Sequence, residues 1–326
     1  MNKSVKFAAF AAFCIAASAA FVNTAVAQAY PSKPVRMITP NGAGGPSDIV
    51  ARVLAQAISE SWGQQVVVEN RVGAGGTVGT ELAARAAPDG YTILLANSAP
   101  LVVNQWLYAK VGYDSSKDLA PVILIGDSPL VLVVNNNLGA NSVADVVRMA
   151  KEQPGKLTFS TVGSGSGPSL AAEILKLQAG INLLHVPYRT PPQALGAVAA
   201  GEVSMSFHSL NALQLAKAGK MKAIGMTSKS RSALAPEVPA VSESGLPDYD
   251  FGSWYAVLAP AGTPREIVMR LHRESERAML LPDFRTRMAG IGVEGGGGSP
   301  EDLGARIRAE SARWGKLIAT AGLKAD

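Results

Sequence analysis

The 326-residue chain has a single cysteine, three histidines and 6 % aromatic residues, and each scarcity removes a class of function. One thiol cannot build a disulfide framework. His185, His208 and His272 stand far apart, which leaves little for a histidine-rich metal site, and the few aromatics leave little for a base-stacking platform. Charged residues make up only 17 %, and the excess of 30 Lys and Arg over 25 Asp and Glu is scattered, with no run of four basic residues. A net charge of +5 so dispersed gives little support for nucleic-acid binding. What is plentiful is apolar: 48 % hydrophobic residues, with 33 glycines, suit a sizeable core and two domains and exclude disorder.

Residues 1–27 read as a secretory signal. Lys3 and Lys6 form a basic start, Phe7 to Val22 is apolar and alanine-rich, and Ala25-Val26-Ala27 supplies the small residues that precede cleavage. The apolar run falls short of the roughly 20 residues that span a bilayer. Cleavage after Ala27 removes Cys14, so the expected periplasmic product has no thiol and no cysteine-based metal, redox or nucleophile chemistry. Loss of two lysines and no acid takes the net charge from +5 to +3. No later apolar stretch is long enough to span a membrane.

Strand-like runs alternate with helical patterns along the rest, which predicts an α/β fold with largely parallel sheets. Strands are expected at 35–39, 65–69, 91–96, 130–134, 157–161, 183–186, 203–207 and 222–226. From Asp48 to Ser61, Ile49, Val50, Val53, Leu54, Ala57 and Ile58 recur at helical spacing, with Arg52, Gln56 and Glu60 on the opposite side. Further helices are expected at 142–153, 168–179, 192–200 and 209–218, the first with a Ser142/Asp145 capping box and the last with a Gly219 stop. Thr263-Pro264 and Ser299-Pro300 look like helix starts with a hydroxyl cap and proline at the first position. A first passage between two lobes is expected near Val122 to Ile125 and a second along the proline- and acid-rich stretch 236–252. Two passages make lobe one discontinuous, 28–125 with 252–326, around lobe two at 126–251.

Three glycine-rich loops each join a strand to a helix: 40–48, 71–79 and 161–169. In such a loop main-chain N–H groups at a helix start can face an anion, or the glycines can serve a tight turn and Asp48 a helix cap. Three such loops exceed what packing requires. Ligands of α/β sheets gather beyond the carboxyl ends of strands, so Gly42 to Ser47 and Ser164 to Ser169 are expected to face each other and grip a carboxylate through amides and hydroxyls. His208, just past a strand end, is a candidate cleft residue, whereas His185 and His272 read as structural. No loop ends in the Gly-Lys-Ser/Thr of a P-loop, and no Gly-x-Ser-x-Gly, His-Glu-x-x-His or complete dinucleotide fingerprint occurs. Catalysis has no evident agent, so no enzyme and no cofactor is expected.

The ordered segments Tyr30-Pro31-Ser32-Lys33-Pro34-Val35-Arg36, Gly44-Gly45-Pro46-Ser47-Asp48, Val68-Glu69-Asn70-Arg71, Pro88-Asp89-Gly90-Tyr91-Thr92, Gly163-Ser164-Gly165-Ser166, His185-Val186-Pro187-Tyr188-Arg189, Glu243-Ser244-Gly245-Leu246-Pro247 and Ala259-Pro260-Ala261-Gly262-Thr263-Pro264 resemble the tripartite tricarboxylate transporter substrate-binding proteins, or Bug family of extracytoplasmic solute receptors. The likeness covers almost the whole chain after residue 27. It implies a type 2 periplasmic-binding-protein fold, two α/β lobes that close on a small organic acid, with one carboxylate held by glycine-loop backbone and ordered water. Carried over by position, it implies ligand contacts at Asn41, Gly42, Ala43, Gly44, Gly45, Ser47 and Asp48, at Asn97 and Ser98, and at Ser164, Gly165 and Ser166, with Tyr188, His208 and Trp254 as weaker candidates.

The chain departs from the family at Asn41, where an aromatic is common, at Ser169, where histidine is common, and at Thr190-Pro191-Pro192, usually glycine-bearing. An acid often found before the next Gly-Gly is absent from 194–201, which disfavours an α-amino-acid ligand. The resemblance implies a monomeric periplasmic receptor for an organic acid with permease subunits as partners. A sensor feeding a signalling partner and a serine-loop hydrolase are the rival readings.

Overall fold

The computed structural model describes residues 30–163 and 166–321. The signal segment 1–27 and the loop residues Ser164 and Gly165 lie outside them. The unit from Lys33 onward is built on two five-stranded sheets. The first joins β1 (Val35–Thr39), β2 (Val66–Asn70), β3 (Thr92–Asn97), β4 (Leu119–Pro129) and β10 (Gly252–Pro260) in the order β2-β1-β3-β10-β4. The second joins β5 (Val131–Val134), β6 (Thr158–Thr161), β7 (Leu184–Pro187), β8 (Met205–His208) and β9 (Lys222–Met226) in the order β7-β6-β8-β5-β9.

The helices among the described residues are α1 (Pro46–Trp62), α2 (Thr77–Ala84), the single turn α3 (Asn104–Leu107), α4 (Val143–Glu152), α5 (Gly167–Ala179), α6 (Pro191–Ala200), α7 (Ala212–Lys217), α8 (Arg265–Met279), α9 (Pro282–Gly290) and α10 (Pro300–Ala321). Alternation along the strands divides the first sheet cleanly. Val35, Met37, Ile93, Leu95 and Val257 face α1 and α8, while Ile38, Leu94, Ala256 and Leu258 face Leu303, Ile307 and Trp314 of α10. The latter core runs on without a break into the second sheet, through Trp254, Phe251 and Tyr249 to Phe159 and Phe207.

Each expected strand and the first helix are present within one or two residues of their predicted ends. Ser142 accepts from the Asp145 N–H at 3.1 Å, and Ser299 likewise accepts from Asp302 at 3.1 Å, so both caps form. Thr263 does not cap α8, because its hydroxyl turns back to the Pro260 carbonyl at 2.8 Å and Pro264 takes the cap position. The sheets are mixed rather than largely parallel: β10 runs antiparallel to both β3 and β4, and β5 to both β8 and β9. A chain that leaves one sheet by β4 and returns by its neighbour β10 must run those two strands in opposite directions. Val122 to Ile125, expected as the first passage, lies inside β4, and the chain enters the second sheet only after Leu130.

Candidate functional site

Register alone brings the loops to defined edges. Because β1 is parallel to β2 and β3, Thr39, Asn70 and Asn97 end at one edge of the first sheet. Tyr255 pairs with Asn97 and Gly252 with Pro129, so the start of β10 and the end of β4 share that edge. In the second sheet Thr161, Pro187 and His208 close β6, β7 and β8 at one edge, and Val131 pairs with both His208 and Met226 there. The edges that carry the first and third glycine loops are therefore the edges where the chain passes from sheet to sheet.

Fully buried Thr227 ties the two passages together. Its hydroxyl accepts from the Leu130 N–H at 2.7 Å, its own N–H donates to the Leu130 carbonyl at 2.9 Å, and its carbonyl accepts from the Phe251 N–H at 2.8 Å. A glycine-free pivot of this kind was not apparent in the sequence, where Thr227 merely follows an apolar strand.

Loop one is held by Asp48. Its carboxylate accepts from the Gly44 N–H, Arg52 Nε and Asn70 Nδ2, each at 2.9 Å, and Asn70 Nδ2 also reaches the Asn41 carbonyl at 2.9 Å. Burial works to raise the Asp48 pKa, but these hydrogen bonds outweigh it and hold the carboxyl below its ordinary value. Asp48 is thus committed to loop architecture, as is the Gly44 amide. The first intrahelical bond of α1 runs from the Ile49 N–H to the Gly45 carbonyl, so the amides of Ser47 and Asp48 have no intrahelical acceptor. A side chain at Gly45 would lie 3.3 Å from the Gly42 carbonyl, while Gly42 and Gly44 border open space.

Loop two serves packing. A side chain at Gly79 would lie 2.4 Å from the Arg71 carbonyl and 2.9 Å from the Pro40 α-carbon, and one at Gly76 would press on Pro40 and Pro100. These glycines let α2 sit against the end of β1.

In loop three Ser166 caps α5: it accepts from the Ser169 N–H at 3.4 Å and donates to the Gly163 carbonyl at 2.7 Å. Thr161 Oγ1 lies 2.6 Å from His185 Nε2, whose ring stacks on Phe159. His208 is buried at the end of β8, with Nδ1 3.1 Å from Asn211 Oδ1 and Nε2 3.3 Å from the Pro191 carbonyl. Tyr188 is half-buried beyond β7, its hydroxyl 3.5 Å from Glu202. Ser98 is buried 3.5 Å from the Ser253 hydroxyl, and Ala43 lies exposed in loop one. Trp254 is not brought to this edge surface: it is fully buried, donates Nε1 to Glu310 at 2.8 Å, and lies under the Arg306 guanidinium.

A cavity of about 520 Å³ does open at the passages, lined by Asp127, Phe251, Arg306 and Glu310 among others, but it contains none of the residues expected to bind ligand. Three of its charges pair with one another, Arg306 with Asp127 at 2.6 Å and with Glu310 at 2.7 Å. Thr39 and Asn70 end β1 and β2 beside loop one, and Asn70, inside one of the recognisable segments, holds that loop through Asn41 and Asp48.

Residues 50–323 match the family model described as the tripartite tricarboxylate transporter family receptor. The chain belongs to that family. Protein BugT of Bordetella pertussis is 35 % identical over 310 residues, which cover 94 % of this chain and 95 % of BugT. Among solved structures, R. palustris Rpa4515 with adipate is 33 % identical with a TM-score of 0.74, covering 90 % of this chain and 99 % of that one. MatC from Rhodopseudomonas palustris with bound malate is 28 % identical with a TM-score of 0.70, covering 89 % and 100 %. The fold of this receptor family member is accordingly the two-lobed one of periplasmic binding proteins, and the family is one of solute receptors rather than enzymes. No described helix is long and apolar enough to cross a membrane.

Proposed function

We propose that the protein is an exported receptor that captures a small organic carboxylate between two lobes, one built on the sheet of β1–β4 and β10 and the other on the sheet of β5–β9, and delivers it to a tripartite membrane permease. Export would be directed by residues 1–27 and accompanied by cleavage after Ala27. The observation that carries the reading is the placement of two glycine loops, each heading a helix, on the sheet edges that the two passages join. Amides at the start of α1 and around Ser164 to Ser166 would grip the carboxylate without a charged side chain, since Asp48 is already neutralised by Arg52. Solved relatives with adipate and malate support the acid class. Contacts to both lobes favour the closed form, so ligand shifts an existing open–closed equilibrium.

A thermal-shift screen with mono- and dicarboxylates tests this. A ligand at 100 times its Kd stabilises by about 2.7 kcal/mol, an upward shift of several degrees. No shift with any carboxylate, alongside retained folding, overturns the reading. Delivery is tested by co-purification of the liganded protein with permease subunits, and failure to co-purify with or without ligand counts against it.

A further inference from the structure

Three buried polar atoms at one end of the first sheet have no hydrogen-bond partner: Thr39 Oγ1, Asn41 Oδ1 and Asn97 Oδ1. Polar groups shut away from water are almost always paired, so a group of orphans at the edge of a binding site points to an occupant. Their placement is shared. The parallel β1–β3 register pairs Arg36 with Thr92 and Ile38 with Leu94, so Thr39 and Asn97 close their strands at this one edge and Asn41 follows Thr39 into loop one. Thr39 and Asn97 continue the alternation of Met37 and Leu95, on the face covered by α1. Asn70 Nδ2, bonded to both the Asn41 carbonyl and the Asp48 carboxylate, ties Asn41 to the first turn of that helix.

The chemistry of the three is neutral. Asp48 is buried, paired with Arg52 and already accepting from Asn70 and Gly44, so it presents no unpaired charge to an ammonium group. The two unpaired carboxamide oxygens accept only, so a second carboxylate, itself an acceptor without a proton to give, would find the Thr39 hydroxyl as the lone donor among the three. Reversing either carboxamide exchanges oxygen for NH2 and leaves the set neutral, still able to donate and accept. The matching partner is a neutral group that itself does both.

Resting on the receptor reading above, we propose that Thr39, Asn41 and Asn97 form a subsite for a ligand hydroxyl, so that the preferred ligand is a hydroxylated carboxylic acid rather than an unsubstituted or amino acid. A site built around a hydroxyl discriminates against the analogue that lacks it, because its own polar groups are then left unpaired.

Calorimetric titration of the purified protein with matched sets tests this: lactate, propionate and alanine; 3-hydroxybutyrate and butyrate; malate, succinate and aspartate. The hydroxylated member of the best-binding set is expected to bind at least about 10-fold tighter than its partners. Asn97→Leu and Thr39→Val are expected to cut that preference to about 3-fold or less. Equal or reversed preference in the unmodified protein, the result if these atoms hold only water, overturns the subsite and leaves the receptor reading intact, with no need of the variants. If no acid in any set binds, the receptor reading itself fails and the subsite with it.

Discussion

Leu130 and Thr227 exchange main-chain and side-chain hydrogen bonds at the point where the chain first passes between sheets, with the Leu130 N–H 2.7 Å from Thr227 Oγ1. The same threonine carbonyl holds Phe251 at the return passage, so one buried residue fixes both. Thr227→Val keeps the shape but leaves the Leu130 N–H without its acceptor. We expect a loss of about 1–3 kcal/mol in urea denaturation, and recovery of most of it in Thr227→Ser. Equal stability of the valine variant would show that the passages are held by packing alone.

The Asp48 network predicts an acid-side instability. Folding lowers the Asp48 pKa from its ordinary 3.8, so the folded state takes up a proton less readily than the unfolded chain. The stabilisation is therefore complete above about pH 4 and drains as the pH falls through the depressed folded value. Asp48→Asn, which cannot pair ionically with Arg52, is expected to cost about 1–3 kcal/mol at pH 7, and its deficit against the unmodified protein to shrink towards pH 2. A deficit independent of pH in paired denaturation curves would contradict this assignment.

Two glycines separate packing from binding. Gly79→Ala drives a methyl group against the Arg71 carbonyl and the Pro40 α-carbon, backbone atoms that cannot swing aside. The expected cost is about 1–3 kcal/mol in chemical denaturation. Gly42→Ala meets nothing within 4 Å and should leave stability within about 0.5 kcal/mol of the original. The reverse order of effects would mean that loop two is the mobile one.

Much of this was legible from residues alone, because it rests on local rules. The spacing of Val50, Val53, Leu54 and Ile58 fixed the buried side of α1, and Ser142 and Ser299 cap as their neighbours Asp145 and Asp302 suggested. What escaped depends on contacts between distant segments. β4 continues to Pro129 because β10, more than a hundred residues later, pairs along its length. Thr263 fails to cap because the Pro260 carbonyl is nearer to hand. Trp254 resembled a cleft aromatic until α10 brought Arg306 and Glu310 to cover it. The orphaned atoms of Thr39, Asn41 and Asn97 become visible only when the fold shuts them away from water.

Ser166 offers the sharpest division between scaffold and ligand contact, since its hydroxyl both accepts from Ser169 and donates to Gly163. Removing it in Ser166→Ala uncaps α5, at an expected cost of about 0.5–2 kcal/mol. Aspartate is an equally good cap and favours a helix start electrostatically, so Ser166→Asp should restore the stability lost in the alanine variant. The same carboxylate would stand where the anion is proposed to sit, and repulsion should weaken acid binding by at least about 10-fold at low ionic strength, less so at high salt. Thermal denaturation and calorimetry on the two variants read these effects separately. Restored stability with unchanged affinity would move the anion away from loop three, and would leave Ser166 as a helix cap alone.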